Sequence, residues 1–565
     1  MACKRRRDIC IFSLLFVVLL VSCTPEPQPV SFPVLGSNQI LQGLSRQAVE
    51  GRLNLSRPKT LEYIFESSPL VQPPASIEIG YTLNIPAGAS LPRIVVDTGA
   101  SSWVLPGIAD SVFTDGNVTG GVFYYAIPIG DPVPQRFSIY IDGSFDRRIG
   151  SGAAMQIKSI AFRDRWFGFY RLDDPFGDNL YLSPFVSRRA VDSAWVIDMD
   201  ALSSVASGGV PAGLFPAVAV DISMGGGAVL DIGRRRFAAS SRLGLLAIPP
   251  LLVASDPGPL VLSQANAVSF RVRYAQTPAF PEPITADPGM ALAWPQDRWR
   301  DSRYEVFRWE SFPSLLIFDF FDYDVQDRML KRLAFFVEKA GFRGRLVRDG
   351  EIADLHGWNA HDYRAVDLAR FFQTARNVNF PLLAEERELE RMLLSAGIIR
   401  ESGNGLEAGE GGIISVSRES DEILRQRFMA HEGFHGLFFI DDDFRDFSRS
   451  RWEQLAAVPK RFILSYFGFQ QYDVNDEYLV INEFMAHVLQ QPVAQAGHYF
   501  GTLYPSRLED SERRRWDLPE KDQSTNSWPV LASAFTREAR AFSEYVDRRW
   551  GLAAGTVSLV TVRQP

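Results

Sequence analysis

The first half of the chain alternates apolar and polar positions in short runs that are separated by turn residues. Successive side chains of a β-strand point to opposite faces of a sheet, so this two-residue period predicts strands with one buried face. The clearest runs lie at residues 76–85, 93–96, 121–127, 136–141 and 155–162. They predict an all-β region over residues 61–185, with antiparallel strands joined by turns.

The following stretch is again β-like, with predicted strands at 216–221, 227–231, 245–248 and 268–274. We interpret residues 186–277 as a second β-rich region. A proline-rich passage follows, and proline interrupts both helices and strands because it lacks a backbone N–H. Residues 278–300 are therefore predicted to be a linker.

Beyond residue 300 the pattern changes to alternating strands and helices. A strand is predicted at 315–320 and another at 411–417, with helices at 325–340, 362–374 and 385–396 between them. A longer helix is expected to begin after Ser420, its predicted N-cap. This mixture predicts an α+β domain over residues 301–500, followed by a helical segment over residues 501–565.

The helix after Ser420 contains His431-Glu432-Gly433-Phe434-His435. In an α-helix residues i and i+4 project from the same face, so both imidazoles can point at one ion. Leu424, Phe428 and Phe439 continue the same stripe, which indicates that the histidines face the core. The alternative is a core helix whose two histidines serve only as hydrogen-bonding groups.

Metal binding would give this helix a chemical role. Zinc lowers the pKa of a bound water from about 16 to about 7, and the carboxylate of Glu432 lies beside the histidine pair to accept its proton. All six histidines of the chain lie after residue 355. Any histidine chemistry therefore belongs to the C-terminal part of the chain.

The composition is that of a globular protein with sizeable cores, since 46% of the 565 residues are hydrophobic. The formal net charge is −8. Without residues 1–22, 55 basic residues stand against 66 acidic ones, which gives −11. Such an acidic balance argues against a nucleic-acid partner.

Residues 1–22 have the pattern of an export signal, with basic residues at 4–7 followed by an apolar run at 9–21. Leu20-Val21-Ser22-Cys23 resembles the lipobox of bacterial lipoproteins, which implies that Cys23 becomes the lipid-modified N-terminus. The alternative is an ordinary signal peptide with a coincidental cysteine.

A lipid on Cys23 implies a protein of the bacterial cell envelope, anchored to the membrane outside the cytoplasm. Prolines at 25, 27 and 29 then indicate that residues 23–60 form an extended tether. No cysteine occurs after Cys23, so a metal site in the folded part must use His, Asp or Glu.

A second motif, Asn482-Glu483-Phe484-Met485-Ala486-His487, lies in a helix predicted to be capped near Asn475. Together with the H-E-x-x-H sequence it resembles the two zinc-binding helices of gluzincin metallopeptidases, over residues 411–490. The resemblance implies a zincin-like catalytic domain in which His431, His435 and Glu483 bind Zn²⁺ and Glu432 is the general base. It also implies that the strand at 411–417 is the sheet edge that pairs with an extended substrate.

The chain departs from this family at His487, where an aspartate often orients a ligand histidine. His487 is therefore a candidate to bind a ligand carboxylate or the substrate. His361, Tyr478 and His487, with Tyr363 as a further competitor, are the candidates to stabilise the oxyanion of a tetrahedral intermediate. His356 and His361 are predicted to lie in a loop before a helix.

Asp441 is a rival third ligand, because it falls where another class of H-E-x-x-H enzymes places its own. That arrangement uses a glycine to turn the chain out of the helix, whereas this chain has Phe438 there. Glu483 is therefore favoured over Asp441.

The strand pattern of residues 61–185 resembles jelly-roll sandwiches and the carbohydrate-binding modules that accompany exported enzymes. Trp103 and Trp166 would then stack on a sugar ring or pack in the core. Asp97-Thr98-Gly99 resembles the catalytic loop of aspartic proteases, although the chain has no second copy.

The leading hypothesis is a membrane-anchored zinc metallopeptidase that acts on a peptide or protein substrate. A non-catalytic surface lipoprotein that binds a glycan or an envelope component through its β-sandwich is the alternative. An aspartic protease acting through Asp97 is the third hypothesis. The substrate's identity and the oligomeric state stay open.

Overall fold

The computed structural model describes residues 269–563, except 404, 509–520, 523, 525 and 526, together with strands and a few connecting residues between 39 and 265. The chain divides into two compact units. The first comprises residues 1–106, 110–127 and 131–165, and the second comprises residues 107–109, 128–130 and 166–565.

The described strands of the first unit form two five-stranded sheets, and every paired strand is antiparallel. One sheet has the order Gln39–Ile40, Lys59–Phe65, Arg136–Ile141, Ile94–Asp97 and Ser102–Leu105. The other has the order Arg52–Asn54, Ala154–Arg163, Ala75–Asn84, Val118–Ile127 and Phe113–Asp115. The five strands predicted here from the two-residue period are confirmed to within a few residues.

Several predictions for the N-terminal half fall on residues that the structure does not describe. These are the signal sequence, the lipid site at Cys23, the loop after Asp97 and the side chains of Trp103 and Trp166. Two short strands, Gln39–Ile40 and Arg52–Asn54, lie within the predicted tether 23–60.

The second unit begins with two further sheets. One contains Phe167–Arg171, Ser269–Gln276, Leu214–Asp221 and Leu245–Ile248 in that order. The other contains Val186–Arg188, Trp195–Ile197, Leu260–Ala265, Ala228–Ile232, Arg235–Ala239 and Val560–Arg563. The last strand of the chain therefore completes a sheet that otherwise belongs to the predicted region 186–277.

A mixed sheet supports the two motifs that are predicted to bind metal. Its strand order among the described residues is Ile284–Ala286, Tyr304–Trp309, Leu315–Phe320, Gly412–Ser417 and His361–Arg364. The strand at 284–286 lies inside the predicted linker 278–300, so part of that stretch belongs to the sheet. A small hairpin, Ile399–Ser402 with Gly405–Ala408, lies apart from it.

The sheet edge near the motifs is not the strand that the sequence analysis expected. Gly412–Ser417 pairs in parallel with Leu315–Phe320 on one side and antiparallel with His361–Arg364 on the other. The expectation that residues 411–417 form the edge is therefore wrong, and His361–Arg364, hereafter the edge strand, takes that position.

Helices cover this sheet and extend beyond it. They are Pro250–Ala254, Pro288–Leu292, Tyr323–Val337, Asp349–Ile352, Ala365–Asn377, Ala384–Ala396, Glu422–Ile440, Asp442–Gln454, Ala457–Phe469, Glu477–Leu489, Val493–His498, Tyr504–Arg507 and Pro529–Trp550, with a π-helical turn at Tyr499–Leu503 and 3₁₀ turns at Ser241–Leu243 and Gln296–Arg298. Among the described residues, no helix combines the length and apolar character needed to cross a bilayer.

The described elements give the chain a multidomain fold class, in which β-sheets are followed by an α+β region.

Burial of the central strands explains why this part of the chain folds. Every residue of Leu315–Phe320 and of Gly412–Ser417 is buried, as expected of strands covered on both faces. The buried carboxylate of Asp319 would be costly alone, but Arg418 and Arg425 both form ion pairs with it.

Two helices carry the motifs that are predicted to bind metal. Glu422–Ile440, hereafter the motif helix, is capped by Asp421, whose side chain accepts a hydrogen bond from the backbone N–H of Leu424. The prediction of Ser420 as N-cap is therefore off by one residue. Glu477–Leu489, hereafter the glutamate helix, is capped in the same way by Asp476, close to the predicted Asn475.

Glycines let the motif helix approach its neighbours closely. A Cβ atom added at Gly433 would lie 2.7 Å from Cγ2 of Val557, and one added at Gly436 would lie 2.9 Å from Cδ1 of Leu315. Side chains at these positions would push the helix away from the sheet and from the C-terminal segment.

The C-terminal segment is also held by a buried carboxylate. Asp287 accepts hydrogen bonds from the backbone N–H groups of Gly289, Leu559 and Val560. It therefore connects the start of helix Pro288–Leu292 to the start of the last strand.

Candidate metal centre

The motif helix brings His431 and His435 together as the i, i+4 spacing predicts. Their Nε2 atoms are 3.1 Å apart, and the two rings are nearly perpendicular at 87°. Both side chains are buried. Burial lowers the pKa of each imidazole to about 4, so both are neutral near pH 7 and able to act as ligands.

Glu483 approaches this pair from the glutamate helix. Its Oε2 atom is 3.6 Å from Nε2 of His431, and its Oε1 atom is 3.7 Å from Nε2 of His435. The side chain is 3% exposed, and burial raises its pKa. The structure therefore brings together the three side chains that the sequence analysis predicted as metal ligands.

The geometry fits a tetrahedral metal ion. Two ligand atoms about 2.1 Å from such an ion lie roughly 3.4 Å apart, close to the three distances above. The Oε2 atom of Glu483 is buried without a hydrogen-bond partner among the described residues. A divalent cation would compensate the buried carboxylate, which is otherwise costly.

A second group of carboxyls lies beside the ligands. Glu432 is hydrogen-bonded to Asp362 of the edge strand, which requires a proton on one of the two. Burial, with the neighbouring charges of Asp362 and Glu483, holds the pKa of Glu432 well above its usual range. Glu338 contributes to the same shift, and burial raises its own pKa as well.

Asp362 lies close to the metal ligands too. Its Oδ1 atom is 3.9 Å from Nε2 of His435, and donor atoms of Asp362, Glu432 and His435 all lie within 4.8 Å of one another. The arrangement therefore places a proton-accepting pair of carboxyls next to the position where a metal ion would be bound.

His487 also faces this centre. It follows Glu483 by one helical turn, and its Nε2 atom is 3.6 Å from Oε2 of Glu483. Its ring centroid is 4.8 Å from that of His431. Donor atoms of His431, Glu483 and His487 all lie within 4.8 Å of one another, so this group too could hold a metal ion. Of the candidates proposed for the oxyanion, His487 is the one that the structure brings to this centre.

The other oxyanion candidates lie elsewhere. His361 is in the edge strand rather than in a loop, and its Nδ1 atom is hydrogen-bonded to the hydroxyl of Tyr363 at 2.7 Å. Strand alternation directs both side chains to the face opposite Asp362. Tyr478 packs on Phe438, and the guanidinium of Arg364 lies 4.0 Å above its ring.

Asp441 does not point at the histidines. Its side chain accepts a hydrogen bond from the backbone N–H of Phe444 and so caps helix Asp442–Gln454. It also forms a 2.6 Å ion pair with Arg549. The rival assignment of Asp441 as the third ligand therefore finds no support in the geometry.

A cleft of about 640 Å³ opens at the end of the edge strand. Its lining includes Arg364, Val366, Phe439, Arg445 and Tyr478. The cleft is partly apolar and carries two guanidinium groups, and it lies next to the only strand edge that the mixed sheet presents near Glu432, among the described residues.

Sequence reasoning missed Asp362 and Glu338 as members of the centre. Asp362 was predicted to begin a helix, yet that helix begins at Ala365. The only local signal is an acidic residue amid aromatic ones, whereas the pairing of the edge strand with Gly412–Ser417 is what brings Asp362 to Glu432.

A comparison of the chain with models of known protein families finds no match. A search of curated proteins likewise finds no significant similarity.

Proposed function

We propose that this protein is a zinc-dependent metallopeptidase that hydrolyses peptide bonds. The observation that carries the proposal is the convergence of His431, His435 and Glu483, from two different helices, at distances of 3.1 to 3.7 Å. Two imidazoles and one carboxylate are a donor set used by catalytic zinc sites, which keep a further position open.

Bound zinc would supply Lewis-acid activation of water and of the substrate carbonyl. Glu432 would accept the proton of the attacking water and deliver it to the leaving amine. Asp362 shares a hydrogen bond with Glu432 and would fix the orientation of that carboxyl.

The edge strand offers a place for the substrate backbone. An edge strand presents unpaired N–H and C=O groups, with which an extended peptide can pair. Asp362 lies on this strand and contacts Glu432, so a peptide paired there would pass the metal centre. The neighbouring cleft lined by Arg364 and Tyr478 would receive one of its side chains.

The test compares Glu432→Gln with the wild-type protein on denatured, fluorescently labelled casein. The amide keeps the shape of the side chain but cannot accept the proton, so we expect kcat/KM to fall by about 10²–10⁴-fold. Zinc content, measured on the same samples, should stay at one ion per chain. Glu453→Gln, at an exposed position of helix Asp442–Gln454, is the matched control and should retain full activity.

Equal activity of Glu432→Gln and wild type would exclude this mechanism. A wild-type protein that binds zinc without cleaving any peptide would favour the non-catalytic surface lipoprotein, and binding to a glycan array would then test that reading. We also propose that the enzyme acts at a bacterial membrane, held there by a lipid on Cys23.

A further inference from the structure

His487 presents one ring nitrogen to the metal centre and the other to a separate pair of polar side chains. On the metal side, Nε2 lies 3.6 Å from Oε2 of Glu483, which is longer than an ordinary N–H···O hydrogen bond. On the far side, Nδ1 contacts the hydroxyl of Tyr504 and lies 3.1 Å from Nε2 of Gln490. The two nitrogens thus have different partners, and the partners of Nδ1 decide which nitrogen carries the proton.

Tyr504 and Gln490 are fixed in place by their surroundings. Tyr504 is 1% exposed and stacks on Tyr466, with ring centroids 3.9 Å apart. It directly follows the π-helical turn Tyr499–Leu503, a conformation that is frequent at functional sites. Gln490, at the end of the glutamate helix, is buried as well.

The hydrogen bonds around Tyr504 favour one arrangement. The Nε2 atom of Gln490 is an amide nitrogen, which donates hydrogen bonds and cannot accept them. It lies 2.8 Å from the hydroxyl of Tyr504 and 3.3 Å from the carbonyl oxygen of His487. The opposite orientation of this amide would place two acceptor oxygens against each other. The hydroxyl oxygen of Tyr504 therefore accepts from Gln490.

The proton of Tyr504 then needs an acceptor of its own. Among the described residues, Nδ1 of His487 is the acceptor in contact with this buried hydroxyl. When Nδ1 accepts, a neutral imidazole carries its proton on Nε2, the nitrogen that faces Glu483 and His431. A metal-ligating histidine normally donates a hydrogen bond from the ring nitrogen that faces away from the metal. In His487 that nitrogen, Nδ1, accepts a hydrogen bond instead.

We propose that His487 is the residue that donates a hydrogen bond, from Nε2–H, to the oxygen atom of the substrate carbonyl that becomes negatively charged during peptide hydrolysis. Tyr504 and Gln490 are positioning residues that set the tautomer. This inference rests on the proposed peptidase function. A donor that is oriented before the reaction needs no reorganisation as charge develops, which is why such groups are effective.

The tautomer can be measured without turnover. The full chain, labelled with ¹⁵N-histidine and loaded with zinc, contains six histidines, and the signals of His487 are identified by their loss in His487→Gln. We expect the Nε2–H tautomer in the wild type. Tyr504→Phe should shift the population toward Nδ1–H, whereas Tyr466→Phe, which removes a hydroxyl bonded to Arg507 and keeps the stack, should not.

Kinetics test the catalytic role. We expect His487→Ala to lower kcat on labelled casein by about 10²–10³-fold with little change in KM, since the lost interaction forms in the transition state. His487→Gln should recover part of the rate, because its amide nitrogen reaches the same region. Zinc content should be unchanged in both variants.

Four results would overturn the proposal. An Nδ1–H tautomer would leave Nε2 of His487 without a proton to donate, and coordination of Nε2 to zinc would make this residue a ligand instead of a donor. An unchanged kcat in His487→Ala would remove the catalytic role while leaving the peptidase function intact. A wild-type protein that binds zinc but cleaves nothing would remove that role together with the proposed function, and the tautomer would still be decided by the NMR measurement.

Discussion

Glu483 reaches the histidine pair from a second helix, whereas Asp441 follows the motif helix directly and turns away to Arg549. Substitutions at these two acidic residues should therefore have different effects on the affinity for zinc. Only the side chain whose oxygens lie within ligand spacing of both Nε2 atoms should matter.

We expect Glu483→Ala to weaken zinc binding by at least about 100-fold, since losing a ligand costs more than losing a group that merely supports one. Asp441→Asn should leave zinc binding unchanged, because asparagine can still cap helix Asp442–Gln454. Competition with a chromophoric chelator measures both affinities. A loss of zinc in Asp441→Asn alone would reverse the assignment of the third ligand.

Asp287 is a buried carboxyl, and Glu310 is a half-buried one. Burial, followed by the charge of Asp287, raises the pKa of Glu310 to about 8, and burial raises the pKa of Asp287 to about 7. Both values lie above those of the unfolded chain, so between about pH 4 and 8 the native state holds protons that the unfolded state releases. Their contribution to stability is therefore present at low pH and lost as pH rises.

Glu310→Gln removes one of these titrations without changing the shape of the side chain. Relative to wild type, the variant should gain roughly 1–4 kcal/mol in unfolding free energy between pH 5 and pH 8. Urea unfolding at the two pH values measures this difference. Parallel pH dependence of the two proteins would show that Glu310 is ionised in the native state.

The motif helix packs more closely than its composition alone would suggest, because Gly433 faces Val557 at a distance that leaves no room for a methyl group. Alanine at position 433 would favour the helix by about 1 kcal/mol. Overpacking against a stiff, buried valine costs about 1–3 kcal/mol, so the steric term should prevail.

We therefore expect Gly433→Ala to destabilise the wild-type protein by up to about 2 kcal/mol. In the Val557→Ala background, where the space is open, the same substitution should be neutral or stabilising. Chemical unfolding of the four proteins gives this double-mutant cycle. Identical effects of Gly433→Ala in both backgrounds would mean that Val557 does not limit the approach of the helix.

Elements with a strong local pattern could be predicted from the sequence, and elements defined by distant pairing could not. The motif helix is predicted by its stripe of apolar residues at helical spacing. The strand Leu315–Phe320 is predicted by its largely apolar run. The edge strand follows turn-forming residues and continues into an amphipathic helix, so its four residues resembled the start of that helix. Its identity depends on pairing with Gly412–Ser417, which no local period encodes.

The residues of the candidate site likewise fall into those that local sequence motifs predict and those that only the fold brings together. His431, His435 and Glu483 belong to motifs with fixed spacing and could be found from the sequence. Asp362 and Tyr504 contribute because sheet pairing and a π-helical turn bring them there. A tyrosine that sets a tautomer from a neighbouring helix has no sequence signature of its own.

At the scale of the whole molecule, the lipid on Cys23 remains a prediction of the sequence. Expression of the full chain in a bacterium fed with radiolabelled palmitate should label the wild type and leave Cys23→Ser unlabelled, because no thiol follows residue 23. The wild type should sediment with membranes, whereas Cys23→Ser should lose that lipid attachment. Labelling of Cys23→Ser would contradict the lipobox.

The last described strand, Val560–Arg563, pairs with Arg235–Ala239. The side chain of Asp287 accepts hydrogen bonds from the backbone N–H groups of Leu559 and Val560. Asp287 and Leu559 are 272 positions apart in the sequence. Pairing over such a separation is slow to form. The segment that bears the proposed metal ligands therefore lies within a loop of the chain that long-range contacts close late in folding.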